Sequence, residues 1–407
     1  MSKIHFLPVK YGDSFVIECD KGEQHGVVVV DGGPNGCGKI LQERLDAVGT
    51  PDLMVLTHYD DDHIGGLTQY IKACRKAGRL PAREVWANCA KFAETAGDGE
   101  ETRSALQGVK LGVLLDLIAD EGGELAWRDD VTEGFAKAFP FADVEVVSPT
   151  EKGRKLAIGK QEKAMEGKDR SSLTRAGEVP SLEELALDCP KPPGEKADAE
   201  VANAASIAVI LRCDGLSALL LGDCYPHNVV DYLRAKGYSE ENPLQVDYVK
   251  VAHHGSRHNT SNELLDLVKS HHFLISTNGD KFGHPDREAF AHILCHPTRD
   301  RGEKVHFYFN CDLGTLLAKS GPFLVEGEQE TYNFELHERV GELPLDGVEP
   351  AAKPVLVASR AVAPVPLKAA EAAEPGEEPA PKKKRPCFLK RLFSGFRLDL
   401  DFSSKKP

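Results

Sequence analysis

The chain has 407 residues, with 50 Lys and Arg against 64 Asp and Glu and a formal net charge of −14. That length allows two or three domains or one large one, and 41% hydrophobic with 28% charged residues is the composition of a folded globular protein able to bury a core. The acidic balance excludes a protein coated in basic surface, and no apolar run approaches the length of a membrane span.

In chain order, KIHFLPVK, SFVIECD and HGVVVVDGG read as short strands separated by Gly and Asp turns. VVVVDGG is a β-branched run that predicts a buried strand. PDLMVLTH predicts another strand, and GGLTQYIKACRKAG after it has helical spacing. REVWANC is a short strand, and ETRSALQGVKLGVLLDLIADEGG predicts a helix with Leu111, Leu114, Leu115 and Ile118 on one face. VEVVSPT closes this half. Residues 151–200 are polar and rich in Gly and Pro, which predicts a surface insertion with one short helix near SLEELA.

Order resumes with ASIAVILRCDG and SALLLGD, two strands joined by a turn. A helix (HNVVDYLRAKG), a strand (QVDYVKVAHH), a helix (NELLDLVKS) and a strand (HFLIST) follow, with His271-His272 as a strand-entry pair. KVHFYFN and GTLLAKSG suggest a closing β-hairpin near 304–320. Strands with helices on both sides predict an α+β four-layer αββα sandwich over residues 1–340.

Residues 341–381 are rich in Ala, Pro and Glu and read as a disordered linker. Residues 382–407 form a basic amphipathic tail with nine basic and two acidic side chains, so the tail carries +7 and the rest −21. Phe388, Leu389, Leu392, Phe393 and Phe396 share one helical face, a pattern that suits a protein partner or an anionic surface. The opening MSKIHFLPVKYGDSF lacks the apolar region of a signal peptide, and the ten cysteines form no CxxC pair, so a cytoplasmic protein with reduced thiols is expected.

The stretch that carries chemistry is Thr57-His58-Tyr59-Asp60-Asp61-Asp62-His63-Ile64-Gly65-Gly66, between an apolar strand and a helix. His58, Asp60, Asp62 and His63 are four metal-ligand side chains within six residues. In an extended loop His58 and Asp60 point the same way and suit one ion, while Asp62 and His63 reach a second. Imidazole favours Zn, and carboxylate oxygens favour harder ions such as Mn. A solvated acidic loop capping the helix is the alternative.

His58-x-Asp60-x-Asp62-His63 resembles the His-x-His-x-Asp-His signature of the metallo-β-lactamase superfamily, with Asp60 in place of the second His. That departure is similar to the branch typified by ComEC, the competence DNA-uptake channel protein. VKYGDSFVIE (9–18), VVVVDGG (27–33), Asn203-x-x-Ser206, LLLGD (219–223), KVAHHGS (250–256) and FGHP (282–285) match the same branch in the same order. The resemblance implies the metallo-β-lactamase fold and two divalent metal ions, Zn or Mn. It implies Asp223 as the metal-bridging carboxylate and one of His253 and His254 as the last ligand, with His253 slightly preferred. Asn203 and Ser206 stand where the family's third-motif His would be, so one metal has fewer protein ligands or takes an oxygen from Asn203. His284 would contact a scissile phosphate or protonate a leaving group.

The resemblance thus implies hydrolysis by a metal-activated hydroxide that Asp62 orients. The substrate expected first is a phosphodiester, DNA above all, with Ser256 and Arg257 contacting phosphate oxygens. The fold does not choose among substrates. A small-molecule ester, lactone or thioester hydrolase, and a partner-regulated effector of the kind found in anti-phage defence, are the alternatives.

Overall fold

The run Val27-Val28-Val29-Val30 is apolar at every position because its strand is covered on both faces. In the computed structural model, Val27 and Val29 pack with the helices of an outer layer, and Val28 and Val30 pack into the layer between two sheets. The same alternation recurs at Leu53–Leu56, where Met54 and Leu56 join the helices and Leu53 and Val55 the central layer. The structure describes residues 1–89, 103–121, 125–163, 180–187 and 201–343. The 382–407 tail, all of the linker after residue 343 and most of the 151–200 insertion lie outside the described residues.

The strands are β1 (Lys3–Phe6), β2 (Phe15–Lys21), β3 (Gln24–Val30), β4 (Leu53–Leu56), β5 (Glu84–Ala87), β6 (Ala126–Arg128), β7 (Ala136–Ala138), β8 (Asp143–Ser148), β9 (Ala208–Cys213), β10 (Leu216–Leu220), β11 (Leu244–Gln245), β12 (Tyr248–Lys250), β13 (Val268–Lys269), β14 (His272–Ile275), β15 (Val305–Phe309), β16 (Phe334–His337) and β17 (Glu342–Leu343). One sheet runs β17-β1-β2-β3-β4-β5-β6 and the other β16-β15-β14-β12-β10-β9-β8-β7. The helices Gly38–Val48, Asp61–Lys76 and Arg103–Asp120 cover the first sheet through Leu41, Leu67 and Leu115. The helices Pro226–Ala235, Asn262–Leu267, Arg287–Leu294 and Leu313–Ser320 cover the second through Leu233, Leu264, Phe290 and Leu316. This is the four-layer αββα arrangement of the metallo-β-lactamase fold. Among the described residues no helix is long and apolar enough to cross a membrane.

Three local expectations are corrected. GTLLAKSG is a helix, not the second arm of a hairpin. The Asp312 side chain accepts from the Thr315 N–H at 2.8 Å, Leu313 and Leu316 are buried one turn apart, and Gly321 at φ 79° follows the last residue. Glu151–Lys163 is a helix at the start of the insertion, held by Arg154, which bonds Glu151 and the Asp129 carbonyl. Finally, β17 pairs Leu343 with Ile4, so the folded body extends past residue 340.

Candidate metal centre

The parallel strands β3, β4, β10, β12 and β14 deliver their C-terminal ends to one edge of the sandwich, and the polar residues that follow each strand meet there. Close approach of two glycine pairs makes the junction possible. A Cβ on Gly66 would lie 2.0 Å from the Gly32 carbonyl oxygen, and one on Gly32 would lie 2.2 Å from the Leu67 nitrogen. The Asp31-Gly32-Gly33 turn is thereby pressed onto the first turn of the helix Asp61–Lys76, where the Gly66 N–H bonds the Gly33 carbonyl at 2.8 Å.

Four imidazole nitrogens and two carboxylates converge. Asp223 Oδ2 lies 3.4 Å from His63 Nε2, 3.6 Å from His253 Nε2, 3.8 Å from His58 Nε2 and 3.9 Å from His254 Nε2. Asp62 Oδ2 lies 3.5 Å from His254 Nε2. Two trios, His58–His63–Asp223 and Asp62–His63–His254, each hold their ligand atoms within 4.8 Å of one another, and every member is buried. His63 therefore belongs to both trios rather than pairing with Asp62 alone. Asp60 Oδ2 is 3.7 Å from His58 Nε2 at the more exposed edge. Asp61, the carboxylate that the spacing leaves out, bonds Asn35 and Gln107 instead.

The donor set fits a divalent metal. His58 Nε2, His63 Nε2, His254 Nε2 and Asp223 Oδ1 are buried and have no hydrogen-bond partner among the described residues. Buried polar atoms are normally paired, and four orphans facing one another mark a place for a cation. The opposite ring nitrogens are already held. His63 Nδ1 lies 2.7 Å from Asp31 Oδ2, and His254 Nδ1 lies 2.7 Å from the Ser276 carbonyl, so both rings present Nε2 inward. His58 Nδ1 sits 3.1 Å from the Thr57 hydroxyl, which donates to Asp31. Geometry favours His254 over His253 as a ligand, because only His254 reaches Asp62. His253 is partly exposed and stacks edge-on with His284 at 5.2 Å. Backbone strain marks the same place: Asp31, His253 and His254 take φ of 60°, 48° and 56° without being glycine.

Charge explains the protonation pattern. Asp13, Asp31, Asp62 and Asp223 are buried together, and Lys250 is the buried permanent cation among them. Lys250 Nζ pairs with Asp13, donates to the Gly222 carbonyl at 2.9 Å and lies 3.7 Å from Asp223 Oδ1. Burial opposes charge on His254, but Asp223 and Asp13 outweigh it and hold its pKa at about 9. Burial is likewise outweighed at His63 by Asp223 and Asp31, which keep it well above the usual range. Burial dominates at His58 and His253, pushing both down to about 4. Without metal, protons on His63 and His254 balance the carboxylates, and a metal replaces those protons. The sign follows: a raised imidazole pKa stabilises the fold below the ordinary value near 6.5 and loses that contribution as pH rises through about 9. Chelated protein is therefore expected to melt at progressively lower temperature from pH 7 to 10, and Zn or Mn loading is expected to flatten that dependence. Thermal melts with and without chelator check it, and a flat profile for the chelated protein contradicts it.

The remaining sequence-predicted residues fall around this centre. Ser206 is buried and its Oγ accepts from the Asp223 N–H at 3.0 Å, so it holds the strand end. Asn203 is buried with Oδ1 unpartnered among the described residues. His284 Nδ1 is 3.4 Å from Asp286 Oδ2. Ser256 is buried, with its N–H bonding the His253 carbonyl at 2.9 Å, and Arg257 pairs with Asp286 and Glu288. Sequence reasoning passed over Asp13, Asp31, Lys250, Asn259 and Lys281. Asn259 braces the centre by accepting at 3.2 Å from His253 and donating to the Asp223 and Cys224 carbonyls. The signals were present for some of them, since Asp31 ends an apolar strand and Lys250 interrupts another. Lys281 Nζ lies 3.8 Å from Asp62 Oδ1 and over the rings of Tyr11 and Phe282, with nothing in its sequence context to announce it.

Residues 7–131 match the family model described as Metallo-beta-lactamase superfamily. No curated protein matches the chain. Among solved structures, a metallo-beta-lactamase from Pontibacter korlensis is 13% identical, with 55% of this chain and 73% of that chain covered and a TM-score of 0.23. A diphosphatase from the PhnP family is 14% identical, with 65% and 71% covered and a TM-score of 0.29.

Proposed function

The chain carries a metallo-beta-lactamase superfamily domain, a superfamily of metal-dependent hydrolases, and on that premise we propose that it hydrolyses phosphodiesters, with DNA as its main substrate. The observation that carries this reading is the buried cradle of unpartnered imidazole and carboxylate atoms with Lys281 at its edge. His58, His63, Asp62, His254 and Asp223 would hold the metal, with Asp60 at the rim and His253 beside it. Two ions, Zn or Mn, suit the two trios. Bound divalent metal supplies a lowered pKa for water and neutralises charge on the attacked group.

The chain's own residues do the rest. Asp62 accepts a hydrogen bond from the attacking water and orients it. His284, its Nδ1 facing Asp286, holds a proton for the leaving oxygen. Phe282 is 45% exposed beside Lys281, and an aromatic next to a cation is the pairing that binds a single nucleic-acid strand by stacking and charge. Asp60 in place of an imidazole adds a hard oxygen ligand, which favours Mn-assisted phosphoryl chemistry and the ComEC-type branch. The 382–407 tail enters this reading as a handle for a protein partner or an anionic surface.

The test is a substrate panel with metal-loaded protein: single- and double-stranded DNA, a chromogenic phosphodiester, a thioester and a lactone, each in Mn and in Zn. Turnover of the phosphodiesters supports the proposal, and turnover of esters alone contradicts it. Lys281→Ala is expected to raise KM by about fivefold with kcat retained, because a partly exposed charge contact contributes on the order of 1 kcal/mol to uniform binding. Steady-state kinetics on the phosphodiester decide, and an unchanged KM removes Lys281 from the substrate path.

A further inference from the structure

A second group of ligand side chains lies on β15 and β16, away from the cradle. The parallel register places His272 beside His306 and His306 beside Glu335, and Tyr308 beside His337. His272 begins β14, while the cradle is anchored at Ser276 after that strand, roughly 13 Å further at about 3.3 Å per residue. His306, Glu335 and His337 offer ligand atoms within 4.8 Å of one another. His306 Nδ1 and His337 Nε2 are 3.0 Å apart. Glu335 Oε2 is 3.6 Å from the first and 3.9 Å from the second.

This triangle has the dimensions of a transition-metal face. Ligand atoms about 2.0–2.1 Å from a tetrahedral Zn stand about 3.3 Å apart, and the three observed edges bracket that value. The group is also chemically prepared. Burial lowers the pKa of His306 and of His337, and the proton held between them in their 3.0 Å hydrogen bond is the one an ion would displace. A hydrogen bond from Lys304 holds Glu335 ionised through Oε1, which leaves Oε2 to the imidazoles. The rings are fixed by stacking, with His306 on His272 at 5.1 Å and His337 on Tyr308 at 4.6 Å. His337 is 2% exposed, while the His306 and Glu335 side chains keep 23% and 31% exposure, which leaves an approach for an ion from solvent.

We propose that His306, Glu335 and His337 form a second transition-metal site, independent of the cradle, that clips the edge strand β16 to β15. Two imidazoles and one carboxylate select Zn, Ni or Cu over Mg or Mn.

The test is zinc content after dialysis of the full chain, measured by elemental analysis, with Zn(II) alone as the probe. Wild type is compared with His306→Gln, His337→Gln and Glu335→Gln. Each variant is expected to lose one equivalent of Zn, to lose part of the Zn-induced rise in melting temperature, and to keep the metal-dependent activity of the wild type. His306 is partly exposed, so His306→Gln serves if the buried His337→Gln does not fold. In a protein whose cradle is broken by Asp223→Ala, one equivalent of Zn is expected to remain and to vanish on adding His306→Gln. Equal zinc content in wild type and His306→Gln, or no zinc in the Asp223→Ala protein, overturns the proposal, and neither result bears on the cradle's own activity.

Discussion

Asp223→Ala is expected to abolish metal binding at the cradle and to lower phosphodiester kcat/KM by about 10³-fold or more. Its Oδ2 lies within 3.9 Å of four imidazole nitrogens, so it stands between both trios. A bound metal contributes several kcal/mol to transition-state charge stabilisation, and each 1.36 kcal/mol is about tenfold in rate, which sets that magnitude. Asp62→Ala is expected to match it, because Asp62 Oδ2 lies 3.5 Å from His254 Nε2 and completes the trio with His63 and His254. Asp223→Asn keeps shape and removes charge, so it separates loss of the ligand from loss of packing. Metal content and single-turnover hydrolysis on the same samples decide; retention of more than a tenth of wild-type activity by Asp223→Ala would remove it from the centre.

Lys250→Met is expected to destabilise the fold by about 3–5 kcal/mol, the usual cost of stripping one partner from a buried ion pair. The ammonium is buried with Asp13, lies near Asp223 and donates to the Gly222 carbonyl. Asp13 and Asp223 hold Lys250 above its ordinary pKa against the pull of burial. The methionine leaves two carboxylates short of a cation and one carbonyl short of a donor. Addition of Asp13→Leu is expected to recover part of the loss by removing the stranded charge. Urea melts of the single and double variants give the numbers, and a loss below about 1 kcal/mol, a surface-pair magnitude, contradicts the account.

The layers and most strands were legible because apolar alternation at Val27–Val30 and Leu53–Leu56 reports two covered faces directly. The helix Leu313–Ser320 was not, because GTLLAKSG is short enough to suit a strand, and the Asp312 cap decides it. At the site, His58, Asp60, Asp62 and His63 announce themselves by contiguity, whereas Asp223 and His254 are recognisable only by their place after apolar strands. Their supports are set through space. Asp31 reaches His63 across 32 residues, and Lys250 reaches Asp13 from the other sheet. The choice of His254 over His253 depends on the left-handed backbone at both positions, which no residue pattern encodes. His306 lies in the strand KVHFYFN and His337 in a stretch with no marked pattern, and only the register of β15 against β16 brings them together.

The cradle is proposed to hold divalent metal and to use it on phosphodiesters. The most direct measurement is DNA hydrolysis by protein stripped with chelator and then reconstituted with Mn or Zn. No cleavage by the stripped protein is expected, with cleavage restored in step with metal bound at the cradle and none from Asp62→Ala under the same loading. Reconstituted wild type that binds metal yet cleaves neither single- nor double-stranded DNA, nor a simple phosphodiester, would contradict it.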